Sequence, residues 1–158
     1  VGNHRKYISL SAEKPNATGE TITTYVNWVK KYGSQANAIQ EHIDSAEGDE
    51  YAAFGQLYES LRAISGFGRT ARFDLLCMLQ KTGLAQIAAD RAYLSEATGP
   101  LRGAARLFRQ NPLDTTKKHE LDNALCDLGA ALGLSPNIME DAVCNWQKEP
   151  QRYVAFRG

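Results

Sequence analysis

The chain has 158 residues, 43% of them hydrophobic and 23% charged, with no net charge. That length and mixture describe one globular domain with a sizeable core and exclude a disordered or fibrous chain. The longest apolar runs are too short to span a bilayer, and no signal-peptide pattern opens the chain.

Residues 1–18 lack periodicity and read as an extended segment, in which His4, Arg5 and Lys6 form a basic arm or a disordered end. Val1 is not an initiator Met, which leaves processing or truncation open. From Glu20 to Lys31, apolar residues at Ile22, Tyr25, Val26 and Val29 predict a helix ended by Gly33. Ser34 caps a second through Ala46, with Ile39 and Ile43 inward. Asp49 caps a third through Ile64, with Tyr51, Phe54, Leu57, Tyr58 and Leu61 on its buried side. A fourth runs to Lys81 and stops at Thr82-Gly83. After a connector from Leu84 to Ala89, Asp90 stands where a new helix should start. Pro100 suits the first turn of another, with Leu101, Ala104, Ala105 and Phe108 inside. Leu113 to Leu132 is amphipathic, and Ser135-Pro136 begins a last helix burying Ile138, Met139, Ala142, Val143 and Trp146. No segment alternates as a strand does, so the class is all-α with about seven or eight helices. The expected organisation is an N-terminal segment over 1–18, a helical domain over 19–148 and a tail over 149–158.

Between the third and fourth helices lies Ile64-Ser65-Gly66-Phe67-Gly68-Arg69-Thr70. Two helices joined by apolar-x-Gly-apolar-Gly make a helix–hairpin–helix. Glycine takes positive φ and lets another backbone approach. The next helix then offers unpaired N–H groups and partial positive charge to a phosphate, which holds a nucleic-acid backbone without reading its sequence. Charge supports this placement. From Arg62 to Arg109 there are Arg62, Arg69, Arg72, Lys81, Arg91, Arg102, Arg106 and Arg109 against Asp74, Asp90 and Glu96. This basic excess suits a phosphate-facing surface, and arginine suits bidentate phosphate contact. Arginines solvated on helix faces are the alternative.

The other chemistry-bearing residues are scattered. Cys77, Cys126 and Cys144 are too far apart for a local zinc knot or a CxxC redox pair, and read as reduced, mostly buried thiols of a cytosolic protein. His4, His42 and His119 show no ligand spacing, so no metal is expected. Trp28 and Trp146 read as core, and Asp122, Asp127, Glu140 and Asp141 as solvated faces. Taken alone, Asp90 reads as a helix N-cap.

The frame of Gly66, Gly68 and Asp90 resembles the helix–hairpin–helix DNA glycosylase superfamily, in which a catalytic aspartate heads a helix beyond the hairpin. The four-cysteine iron–sulfur loop of some members is missing here. Residues 69–80 contain no lysine and Lys81 comes too late for Schiff-base chemistry, which speaks against lyase activity at that position. A closer resemblance lies in Gly66 to Asp74 (GFGRTARFD), Asp90 to Ser95 (DRAYLS), Ala97 to Ala104 (ATGPLRGA) and Glu140 to Lys148 (EDAVCNWQK). These words are similar to the alpha-glutamyl/putrescinyl thymine pyrophosphorylases, also described as amino acid:DNA transferases of bacteriophage DNA hypermodification. The resemblance covers roughly residues 50–148 and leaves 1–48 unmatched.

The resemblance implies a transferase that replaces the (pyro)phosphate of phosphorylated 5-hydroxymethyluracil in DNA with an amine or amino acid. Its partners are then DNA with a modified pyrimidine and a small amine, with no cofactor, no metal and no membrane, in the cytoplasm of a bacterium or phage-infected cell. Asp90 is the expected catalytic residue, and Tyr93 lines the pocket or packs. Gly66, Gly68, Arg69, Thr70, Arg72, Arg91 and Arg102 are the expected DNA- and phosphate-binding residues, with a structural ion pair the alternative for Arg102. A glycosylase excising a modified base and a non-catalytic DNA-binding module are the alternative functions.

Overall fold

The computed structural model describes residues 9–152. His4, Arg5 and Lys6 lie outside the described residues. Seven α-helices occur among those described: α1 Thr18–Tyr32, α2 Gln35–Ser45, α3 Glu50–Ser60, α4 Arg69–Lys81, α5 Gly99–Arg109, α6 Lys118–Leu132 and α7 Pro136–Trp146. Two short 3-10 turns, Leu61–Ala63 and Leu94–Glu96, complete them, and no strand is present among these residues. None of the helices is long and apolar enough to cross a membrane.

The chain divides into two compact units between Ala88 and Ala89, inside the stretch from 19 to 148 expected to form one domain. In the first unit α3 packs against α2 and α4, and α1 against α2 and the Leu61–Ala63 turn. Its core is Phe54, Leu57, Tyr58, Leu61, Ile64, Phe73 and Leu76, all buried. Trp28 is buried as expected, and its indole N–H donates to Ser60 Oγ at 2.8 Å. Ser34 and Asp49 cap α2 and α3 by accepting backbone N–H bonds from the first turn. Residues 9–17 are not extended. They loop back onto the start of α1, where Ser9 O accepts from Thr18 N at 3.0 Å and Ser11 O accepts from Gly19 N at 2.9 Å.

In the second unit α5 lies against α7 and α6 around Leu94, Leu101, Ala104, Leu121, Leu125, Met139 and Val143. Close approach of α5 and α7 depends on glycine. A Cβ on Gly103 would sit 2.3 Å from Val143 O, and one on Gly99 2.9 Å from Cys144 Sγ. Pro100 and Pro136 occupy the first turns of α5 and α7 as expected.

Two helix assignments are corrected. Asp90 does not head a helix. The helix expected from Leu113 begins only at Lys118. Ahead of it Arg109 donates to Asp114 Oδ1 at 3.1 Å and to Thr116 O at 2.7 Å, while Thr116 Oγ1 donates to Asp114 Oδ1 at 2.6 Å. These side chains occupy the backbone groups a helix would need. Several apolar residues expected inside are exposed, among them Tyr51, Phe108, Ile138 and Trp146.

Candidate active site

The expected site residues fall in both units: Gly66, Gly68, Arg69, Thr70 and Arg72 in the first, and Asp90, Arg91, Tyr93 and Arg102 in the second.

In the first unit the chain turns tightly between the 3-10 turn and α4. Gly66 has φ +79°, the left-handed conformation that favours glycine, and a Cβ there would meet Thr21 Oγ1 at 2.9 Å. Phe67 N donates to Ile64 O at 3.1 Å and Gly68 N to Gly66 O at 3.0 Å, closing the turn. Ser65 N is taken by Thr24 Oγ1 at 2.9 Å. Gly68, by contrast, has ordinary backbone geometry and open space around it; it precedes α4 and leaves that helix without a side-chain cap. Thr70 is exposed in the first turn.

Arg69 and Arg72 depart from the expected phosphate-facing pair. Both are buried, at 7% and 2% exposure. The Arg69 guanidinium lies 4.3 Å from the Phe73 ring centroid, and that of Arg72 lies 4.1 Å from the Tyr58 ring while donating to Tyr58 O at 3.3 Å. Stacking on aromatic faces satisfies a weakly hydrated cation inside a protein. In this arrangement Arg72 packs α4 onto Tyr58 of α3, Arg69 lies along α4 against Phe73, and neither is displayed to a backbone phosphate.

In the second unit Asp90 sits on an irregular segment. It is followed by Tyr93 in the left-handed region, φ 51° and ψ 43°, and then by the Leu94–Glu96 turn. A helix cannot continue through that conformation. The Asp90 carboxylate therefore caps nothing. Its Oδ1 accepts from Tyr93 Oη at 2.7 Å and its Oδ2 from Arg91 Nε at 2.9 Å, with 22% of the side chain open. Asp90, through that hydrogen bond first, holds the Arg91 guanidinium above its ordinary value, against the desolvation that would lower it. Arg91 is half-exposed and engages Asp90 through Nε, which leaves its terminal N–H groups available to a ligand. Arg102 is exposed on the first turns of α5.

Asp122, expected on a solvated face, is 2% exposed. From α6 it accepts from Ala92 N at 3.2 Å and from Leu94 N at 3.3 Å. Lys118 and Cys126, one helical turn to either side, extend the same grip. Lys118 Nζ donates to Ser95 O at 3.1 Å, and Cys126 lies against the Ala92 backbone with its thiol pushed up by burial. The i, i+4, i+8 spacing of Lys118, Asp122 and Cys126 puts all three on one helix face. Glu140, also expected in solvent, is buried. Among the described residues no cluster of His, Cys, Asp and Glu suits a metal ion, and no disulfide joins the three cysteines.

A family model described as alpha-glutamyl/putrescinyl thymine pyrophosphorylase clade 3 matches residues 1–158, a wider span than the words at 50–148 that carry the resemblance. Neither a curated protein nor a solved structure matches the chain.

Proposed function

The chain belongs to the alpha-glutamyl/putrescinyl thymine pyrophosphorylase family, clade 3, and from that premise we propose that it transfers an amine onto a pyrophosphorylated 5-hydroxymethyluracil in DNA. The observation that carries the reading is the Asp90 carboxylate, fixed by Tyr93 and Arg91 yet partly open.

The chemistry is a displacement at the exocyclic methylene. The amine nitrogen forms a bond to that carbon, the carbon–oxygen bond breaks, and its electron pair leaves with the pyrophosphate. The ammonium proton released in the new C–N bond goes to a base. Asp90 is that base, held in one orientation so that little reorganisation remains when the amine arrives. Charge building on the departing pyrophosphate needs cations near it. The free end of Arg91 and the exposed Arg102 supply them.

A base stacked in duplex is out of reach, so the target is everted from the helix before reaction. The uncapped first turn of α4, with Thr70, is the backbone-holding element, because no side chain caps its N–H groups, and the internally bonded Gly66 turn leads the chain into it. Arg69 and Arg72 are left out of that set by their burial.

The test is incubation with DNA containing 5-hydroxymethyluracil, its phosphate or its pyrophosphate, together with glutamate or putrescine. Nucleosides are then analysed by mass spectrometry. The proposal expects an amine-bearing thymidine and released pyrophosphate from the pyrophosphorylated DNA and from no DNA without a phosphorylated base. Abasic DNA would establish a glycosylase instead, and unchanged nucleosides with retained DNA binding would indicate a non-catalytic module.

A further inference from the structure

We infer that Asp122 is a positioning residue for Asp90, acting through the backbone on either side of Tyr93. This rests on the reading of Asp90 as the reacting base.

Three observations combine. Tyr93 is a bulky aromatic residue in the left-handed region, a strained conformation that persists only where its surroundings hold it. Asp122 accepts the N–H of the residue before Tyr93 and of the residue after it, at 3.2 and 3.3 Å. Tyr93 Oη then donates to Asp90 Oδ1 at 2.7 Å. The unusual backbone at one residue thus lies between a buried clamp and the carboxylate of Asp90.

The chemistry of the clamp requires a carboxylate. Two oxygens that only accept can take two N–H donors at once, whereas an asparagine offers one oxygen and turns an NH2 toward the other donor. Lys118 and Cys126 hold the segment farther along α6, but neither reaches the N–H of Leu94. With Asp122 gone, Tyr93 relaxes toward the ordinary region and its hydroxyl leaves Asp90.

The experiment compares wild type, Asp122→Asn, Tyr93→Phe and the double variant. Single-turnover rates are read on the pyrophosphorylated DNA with amine. Amide exchange of Ala92 and Leu94 and the backbone shifts of Tyr93 are read by NMR. Asp122→Asn and Tyr93→Phe each lower kcat about 10- to 100-fold with little change in KM for DNA, and the double variant falls no further than the worse single one. Exchange at Ala92 and Leu94 speeds by about tenfold in Asp122→Asn. A merely structural role predicts losses that multiply in the double variant. That result overturns the inference and leaves the proposed function standing. If wild type is inert on every DNA and amine, the proposed function falls, and unchanged exchange and Tyr93 shifts in Asp122→Asn then overturn the clamp as well. Should Asp122→Asn not fold, Asp122→Glu keeps the charge, displaces the oxygens and serves in the same comparison.

Discussion

Gly103→Ala is predicted to destabilise the second unit, although alanine is the better helix former. The added Cβ would lie 2.3 Å from Val143 O, 2.7 Å from Val143 C and 3.0 Å from Val143 Cβ, where ordinary contact is 3.4–4 Å. Two of these atoms are backbone and cannot rotate away, so α5 and α7 must separate by about 1 Å, the difference between those distances. Overpacking of this kind costs about 1–3 kcal/mol, and a rigid obstacle puts the cost at the upper end. The propensity gain of alanine over glycine returns about 1 kcal/mol. The net loss is about 2 kcal/mol, which in a unit of this size lowers the melting temperature by roughly 10 °C. Thermal unfolding followed by circular dichroism measures it, with Gly68→Ala as the control, since nothing lies within 4 Å of a Cβ there. Gly99→Ala should fall between the two, because its obstacle is the Cys144 side chain, which can move. A melting temperature for Gly103→Ala equal to or above that of wild type would refute the close backbone packing of α5 on α7.

The other predictions concern charge. Arg72→Ala lowers stability by about 2 kcal/mol through its lost aromatic contact and leaves the salt dependence of DNA binding unchanged, whereas Arg102→Ala leaves stability alone and reduces the salt slope by about one. Binding isotherms at several salt concentrations beside a melting curve separate the two. Cys126 and Asp114 act on stability with opposite sign. Burial raises the Cys126 thiol, so the folded chain keeps that proton longer than the unfolded one. Its contribution is whole below the ordinary thiol value and is lost as pH rises through the raised one. Alkylation of Cys126 by iodoacetamide should accordingly speed up only at higher pH than that of an unfolded peptide thiol. The Thr116 hydroxyl, first among several bonds, lowers Asp114, whose contribution is present above the ordinary carboxyl value and lost as pH falls through the lowered one. Thr116→Val should flatten the acid limb of the stability curve.

Much of the helical plan was legible because its signals are local. Apolar spacing located α3, α4, α5 and α7, Ser34 and Asp49 cap as expected, and Gly33 ends α1. Gly66 announced the positive φ of its turn. What the sequence concealed depends on partners far along the chain. Asp90 looks like a helix cap until Asp122, from α6, takes the neighbouring N–H groups and holds Tyr93 in the left-handed region. Arg72 looks like a surface cation until Tyr58 is placed against it. Asp122 lies between Lys118 and Cys126 on what reads as a polar face, and only the irregular segment packed there makes it a buried one. The excess of basic residues from Arg62 to Arg109 located a region, but burial decided which arginines can meet a ligand.

The proposal that the Asp90 carboxylate takes the proton of the attacking amine is tested most directly by one rate. Pyrophosphate release is followed in a single turnover, with DNA and amine saturating, for wild type and Asp90→Asn. A general base contributes about 10²–10⁴-fold, so the variant should slow by that factor while its affinity for the DNA is unchanged. Release at the wild-type rate in Asp90→Asn would contradict that role and return the carboxylate to a purely structural part in the fold.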